Sequence, residues 1–255
     1  MIYEKDTVFT FSIFTNICNI CNFLWSEKNS EQSIVKESST EWVTIFDGKT
    51  FDGWRGYNRT DIPSLWTVEP DGSMKINGAG GGEGTEGGGD LLYDKKVKNF
   101  EFELEWKVTK VGANSGIMYL AREVSGEPMY ISGPEYQILG NENNEPSLWK
   151  SGSLYDMIAA NPQNAKPLGE WNKAKIKVDN GNVTHYQNDA VVVEYTLWTP
   201  LWEELLNKSK FSKEKWPIAY EYQSNLGGEK KEGYIGLQDH GNEVWFRNIK
   251  LRELK

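Results

Sequence analysis

The chain has 255 residues, a length that suits one large β domain or two small ones, and its net charge of −9 argues against a polyanionic partner such as nucleic acid. Aromatic side chains are abundant, with 11 Trp, 12 Tyr and 10 Phe. Such a supply fills sheet-packed cores and can also stack on the apolar faces of neutral sugar rings.

The N-terminal stretch 7–25 is apolar but interrupted by Thr, Ser and Asn, and it follows a single Lys5. It reads as a degenerate leader: the basic start is poor, no small-residue cleavage site is evident, and it is too polar for a membrane span. Its C-x-x-C pair, Cys18 and Cys21, holds the only cysteines of the chain, and no second Cys or His pair lies nearby to complete a zinc site. Residues 26–41 read as a polar linker. The expected organisation is therefore residues 1–40 as leader or disordered segment and linker, and residues 41–255 as one folded domain.

From Trp42 onward the pattern becomes strand-like. In 100–108 Phe100, Phe102, Leu104 and Trp106 alternate with Glu101, Glu103 and Glu105, the period of two of a strand with one wet face. Ala174, Ile176 and Val178 alternate with Lys173, Lys175 and Lys177 in the same way. Further strands are expected at 66–68, 73–76, 90–93, 115–121, 134–139, 153–157, 183–187, 190–195, 233–239 and 243–251. Asp71-Gly72, Asn180-Gly181 and Gly227-Gly228 supply turns between them. Residues 78–89 form a glycine-rich loop without the Gly-Lys-Ser/Thr or βαβ context of a phosphate cradle. Trp198–Lys208, with Pro200 near its start, reads as one short helix on the rim. Many short alternating strands imply an all-β sandwich of two antiparallel sheets.

Candidate chemistry lies where polar residues share a strand face. Glu135 and Gln137 point one way, Tyr136 and Ile138 the other, and a carboxylate beside an amide can bind hydroxyls or move a proton. His185 shares a face with Gln187, and Gln238 shares one with His240. These are the two histidines of the chain, residues suited to a base near neutral pH or to a metal. Asp90 follows the glycine loop, Tyr155-Asp156 lies near a strand end, and Arg247 could bind substrate or pair with a carboxylate across the sheet. If the three polar strands are neighbours, they build one groove.

Taken in order, several segments resemble the 3-keto-disaccharide hydrolase family: FDGKTFDGWRGYN (46–58), WTVEPDGSMKI (66–76), GGDLLYDKKVKNFEFELEWKV (88–108), ANSGIMYLARE (113–123), GPEYQIL (133–139), SGSLYDMIA (151–159), KPLGEWNKAKIKV (166–178) and GYIGLQDHGNEVWFRNIKLREL (233–254). The resemblance implies a concanavalin-A-like lectin/glucanase jelly roll whose concave face takes a sugar, and residence in the periplasm, at the cell envelope or outside the cell. It implies no firm cofactor. Two departures stand out: Gly140 occupies a position where the family pattern commonly has Asp, a role that could move to Glu142, and Asn188-Asp189 replaces an Asn-Gly hairpin.

The family name implies a glycoside already oxidised at C3. The ketone acidifies the C2 proton, so a base can remove it, the C1 oxygen can leave, and water can add back. Glu135, His185 and His240 fall inside or beside the matching motifs; Glu135 or His185 would be the base and the other, or His240, the acid, an order the sequence leaves open. Asp90, Gln137, Tyr155, Gln238 and Arg247 would bind substrate, and a divalent ion could share in holding the enolate. Two other classes compete: a conventional two-carboxylate glycosidase, although the E-x-D-x-x-E strand of laminarinase-type jelly rolls is missing, and a non-catalytic carbohydrate-binding module.

Overall fold

The computed structural model describes residues 41–78 and 86–255; the expected leader, the Cys18–Cys21 pair and most of the glycine-rich loop lie outside these residues. In chain order the strands are β1 (Val43–Thr44), β2 (Trp54–Gly56), β3 (Trp66–Val68), β4 (Met74–Asn77), β5 (Leu91–Val97), β6 (Phe100–Lys107), β7 (Asn114–Ala121), β8 (Glu135–Leu139), β9 (Asn172–Asp179), β10 (Asn182–Gln187) and β11 (Ala190–Thr196). Helices α1 (Pro200–Lys208) and α2 (Pro217–Ser224) follow, then β12 (Gly233–Leu237) and β13 (Glu243–Glu253). A five-stranded sheet runs β2-β5-β12-β7-β8, and an eight-stranded sheet runs β11-β10-β9-β6-β13-β4-β3 with β1 also on β13. Every pairing is antiparallel. The architecture is a jelly-roll sandwich.

The alternation in β6 does what its period requires. Phe100, Phe102, Leu104 and Trp106 are at most 1% exposed between the sheets, each removing enough apolar surface from water to contribute about 1.5–3 kcal/mol. The charged face is drier than its sequence suggests. Glu101 and Glu103 are only 7% and 9% exposed, because antiparallel register sets them among cations of β9 and β13. Glu101 pairs with Arg252. Glu103 receives Lys173 at 3.2 Å and Lys250 at 2.9 Å. Periodicity identifies the outward face, but it cannot say how much neighbouring long side chains will cover it.

Two helices close one side of the sandwich, where a single one is expected from sequence. α1 starts where Thr199 caps it: the Thr199 hydroxyl accepts from Trp202 N–H at 3.2 Å, with Pro200 pre-set at the first position. α2 was hidden because PIAYEYQS mixes aromatic and apolar residues with no clear one-sided stripe. Trp202 stacks on Tyr195 at 5.5 Å and donates its indole N–H to Gln223 O. Gln223 in turn donates to Tyr130 O at 2.8 Å and Gly133 O at 3.1 Å. The helices thereby brace the segment that leads into β8.

The strand expected at 153–157 is instead a turn: Leu154 makes isolated bridges to Tyr136 and Ile158, and Asp156 has φ of 61°. Gly140 admits no side chain, since a methyl there would overlap the Lys110 carbonyl. Its peptide is tied on both sides, by Gly140 N–H to Ala113 O and Gly112 N–H to Gly140 O, each at 2.8 Å.

The β10–β11 hairpin turns through Asn188 at φ 49° and Asp189 at φ 67°. Both positions belong to a left-handed two-residue turn that favours glycine at the second. Asp189→Gly is expected to stabilise the protein by about 0.5–1 kcal/mol, since the αL cost exceeds that of losing an exposed ion pair to Lys173. A urea midpoint that falls in the variant would contradict this.

Candidate active site

The small sheet organises the site through register. Arg55, Leu92, Gly236, Met118 and Glu135 lie opposite one another in one row. Two residues along, on the same face, run Tyr57, Asp90, Gln238, Gly116 and Gln137. Tyr57 N–H donates to Asp90 O at 2.9 Å, Gln238 N–H donates to Gly116 O at 2.9 Å, and Gly116 pairs with Gln137. The row between them, with Leu91, Leu237, Ile117 and Tyr136, points into the core and is fully buried. The opposite face of this sheet thus carries a second, smaller apolar cluster, Leu92, Met118, Ala121 and Met129, itself buried, beside a largely covered band of carboxylates and amides.

Glycine makes room for this band. A methyl at Gly116 would overlap the Glu135 carboxylate, so that carboxylate lies over a bare Cα. Glu135 is 6% exposed. Gln137 Nε2 donates to Asn114 Oδ1 at 2.7 Å, while its buried Oε1 has no hydrogen-bond partner among the described residues. A buried amide oxygen without a partner is costly, so the Gln137 side chain is a polar group that packing of the sheet alone does not account for. Asp90 reaches from the band into a cavity of about 430 Å³ lined by Tyr57, Asn58, Gly89, Gly126, Glu127 and Pro128, a volume within the range of small-molecule sites.

The 151–155 segment lies along β8 and closes the other side. Gly152 N–H donates to Gln137 O at 2.9 Å and Tyr155 N–H to Glu135 O at 3.1 Å. Burial raises the Tyr155 hydroxyl pKa, and the negative charges of Glu135 and then Asp156 raise it further, so the phenol stays protonated near neutrality. Sequence reasoning missed Lys210. Its ammonium lies 4.3 Å from the Tyr155 ring centre and 4.6 Å from that of Tyr130, and the Lys210 backbone N–H donates to Asp156 Oδ2 at 2.6 Å. No motif marks it; only the packing of the loop after α1 brings it here.

The structure therefore gathers Glu135, Gln137, Asp90, Gln238 and Tyr155 on one side of the small sheet. His240 is exposed on the loop that leaves Gln238. Asp239 anchors that loop: its Oδ2 accepts from Gly89 N–H at 3.0 Å, its Oδ1 from Gly241 N–H at 3.0 Å, and its own N–H donates to Asp90 Oδ1 at 2.9 Å.

His185 is elsewhere, which corrects the expected groove. It does share a face with Gln187, but that face is the inner one, and both side chains are 0% exposed. His185 Nδ1 lies 3.1 Å from Gly152 O and Nε2 lies 2.7 Å from the Tyr119 hydroxyl. A carbonyl only accepts, so Nδ1 carries the proton; Tyr119 then donates to Nε2 and accepts from Tyr195. Burial pushes the imidazole pKa down to about 4, against the opposing pull of the Gly152 carbonyl. With both nitrogens engaged and no path to solvent, His185 cannot reach a substrate.

Arg247 is the second correction. It projects from the outer face of the large sheet, the far side of the sandwich, where Nε meets Glu105 Oε2 at 2.6 Å and the guanidinium lies 4.0 Å from the Trp171 ring centre. It pairs with a carboxylate across the sheet and takes no part in the Glu135 patch. Arg247→Met is accordingly expected to leave turnover within about twofold of the parent, because surface changes away from a site perturb little; a loss beyond about tenfold in initial rate would place the site on the wrong sheet.

No three His, Cys, Asp or Glu side chains among the described residues come together as a metal-holding group. No helix among them is long and apolar enough to cross a membrane.

The model of the 3-keto-alpha-glucoside-1,2-lyase-like domain matches residues 41–252. The chain belongs to this family. A relative from Bacteroides thetaiotaomicron, named 3-keto-disaccharide hydrolase, is 58% identical over 229 residues, covering 84% of this chain and 78% of its own. A crystal structure of a candidate glycosyl hydrolase from Parabacteroides distasonis superposes with a TM-score of 0.69 at 26% identity, over 84% of this chain and 94% of that one. Another from the same organism gives 0.59 at 27% identity, over 84% and 100%. As a member of the lyase-like family the protein is an enzyme, and its jelly roll is the one these relatives share.

Proposed function

We propose that this protein hydrolyses 3-keto-disaccharides or related 3-keto-glycosides at the outward face of the small sheet. The observation that carries the reading is the Glu135 carboxylate seated over Gly116 beside the orphaned Gln137 Oε1, in a chain of this family.

In this reading Glu135 is the base. It takes the C2 proton, made acidic by the neighbouring C3 ketone, and the electron pair of the broken C–H bond is held as the enolate. As the enolate collapses, the C1–O bond breaks and the departing oxygen takes a proton from His240, the histidine that stands in solvent. Water then adds to C1 of the resulting enone and C2 regains a proton, so the net reaction consumes one water. Gln137 and Gln238 hold ring hydroxyls, and Asp90 binds hydroxyls of the sugar that enters the adjoining cavity.

The test is to incubate the protein with 3-keto-trehalose and 3-keto-glucosides beside their unoxidised parents, with and without a chelator, and to measure released monosaccharide. Release from the oxidised sugars alone is the expected result. Equal cleavage of the parents would favour a conventional two-carboxylate glycosidase, and binding without release would favour a carbohydrate-binding module. Residence in the periplasm, at the envelope or outside the cell belongs to the same proposal, and fractionation of cells making the whole chain tests it.

A further inference from the structure

We propose that Lys210 supplies the positive charge that meets the C3 oxygen as the enolate forms, with the Tyr155 hydroxyl as the hydrogen-bond donor beside it. The proposal rests on the reading of this site as one that acts on 3-keto sugars, and it adds the electrophilic half that the sequence did not reveal.

An enolate needs more than a base. When the C2–H pair moves into the C2–C3 bond, the ketone oxygen gains the charge, and a site without a cation or a strong donor there leaves that charge uncompensated. The amides of Gln137 and Gln238 are neutral, and Glu135 and Asp90 carry the wrong sign. Lys210 has the right one, in a chain whose net charge is −9.

Its placement is built rather than incidental. The Asp156 carboxylate accepts the Lys210 backbone N–H at 2.6 Å and also the Trp149 indole N–H at 3.1 Å, so one side chain fixes the backbone of the loop after α1 to the turn that carries Tyr155. Tyr155 is bonded through its own N–H to the backbone carbonyl of Glu135. The rings of Tyr130, Tyr155 and Phe211 lie 4.6, 4.3 and 5.0 Å from the ammonium and hold it by cation–π attraction. Base and cation are thereby carried on segments locked to each other, which is what a concerted proton abstraction requires of them.

The experiment separates enolate formation from bond cleavage. A 3-keto sugar with no leaving group at C1, 1-deoxy-3-ketoglucose, is incubated in deuterium oxide with the full chain, and deuterium uptake at C2 is followed by NMR beside the turnover of 3-keto-trehalose. Lys210→Met is expected to slow both by about 10²- to 10³-fold, with KM changed by less than about threefold, because the charge acts in the transition state. Lys210→Arg should retain a larger share of both. Near-normal exchange in Lys210→Met, with Glu135→Gln inactive, would overturn the Lys210 assignment alone. A wild-type protein that neither exchanges nor cleaves would overturn the site reading and this proposal with it. If Lys210→Met does not fold, as judged by its melting transition, Lys210→Gln carries the test, and exchange and turnover both within about threefold of wild type in that variant would overturn it.

Discussion

Glu135→Gln is expected to lower turnover of 3-keto-trehalose by about 10²- to 10⁴-fold, the usual worth of a positioned acid–base group. The change keeps the shape of the side chain over Gly116 and removes only its ability to accept a proton. The smaller apolar cluster, the Gln137–Asn114 hydrogen bond and the Tyr155 backbone link to Glu135 O do not depend on that charge. Stability should therefore change little while rate collapses, and substrate affinity, read by isothermal titration, should persist. Full activity in this variant would remove Glu135 from the mechanism. Loss of binding together with rate would make it a hydroxyl-holding group instead.

The second large effect is on stability in acid. His185 is neutral in the folded protein because burial holds its pKa near about 4, whereas the unfolded chain takes up the proton near the ordinary value of 6.5. The unfolded state binds more protons between these values, so stability is fully present above pH 6.5 and is lost as pH falls toward 4. The difference amounts to about 3 kcal/mol by pH 4, a sizeable part of the stability of an ordinary domain. Carboxylates titrate in the same window, so the comparison that isolates His185 is with His185→Gln. That variant should be weaker at pH 7, where Tyr119 and Gly152 have lost a partner, yet its urea midpoint should fall less between pH 6.5 and 4. Parallel curves for the two proteins would exclude His185 as the source.

The imidazole is better understood as a brace. Tyr195, Tyr119, His185 and Gly152 form a directional hydrogen-bond chain that crosses from one sheet to the other. Its last member donates back to the Gln137 carbonyl at 2.9 Å. A polar core network of this kind, once satisfied, fixes one arrangement of the strip that carries Tyr155. A histidine inside a sandwich and a histidine at its surface give the same local pattern in sequence, which is why the two could not be told apart there.

The sequence by itself determined a good deal. The period of two in β6 and β9, and turn pairs such as Asn180-Gly181, specified antiparallel strands and their inner residues, because a strand must turn alternate side chains to opposite sides. The same period placed Glu135 with Gln137 and His185 with Gln187. What it could not determine is which of the two faces meets water, since alternation is symmetric until sheet order and packing break the symmetry. Only the tertiary structure turned His185 and Gln187 of β10 into the space between the sheets and Glu135 and Gln137 of β8 to the other face of the small sheet, where loops cover them almost completely. It also set Arg247 on the far side of the sandwich, and it brought Lys210, distant in the chain and carrying no motif, to the rings of Tyr130 and Tyr155.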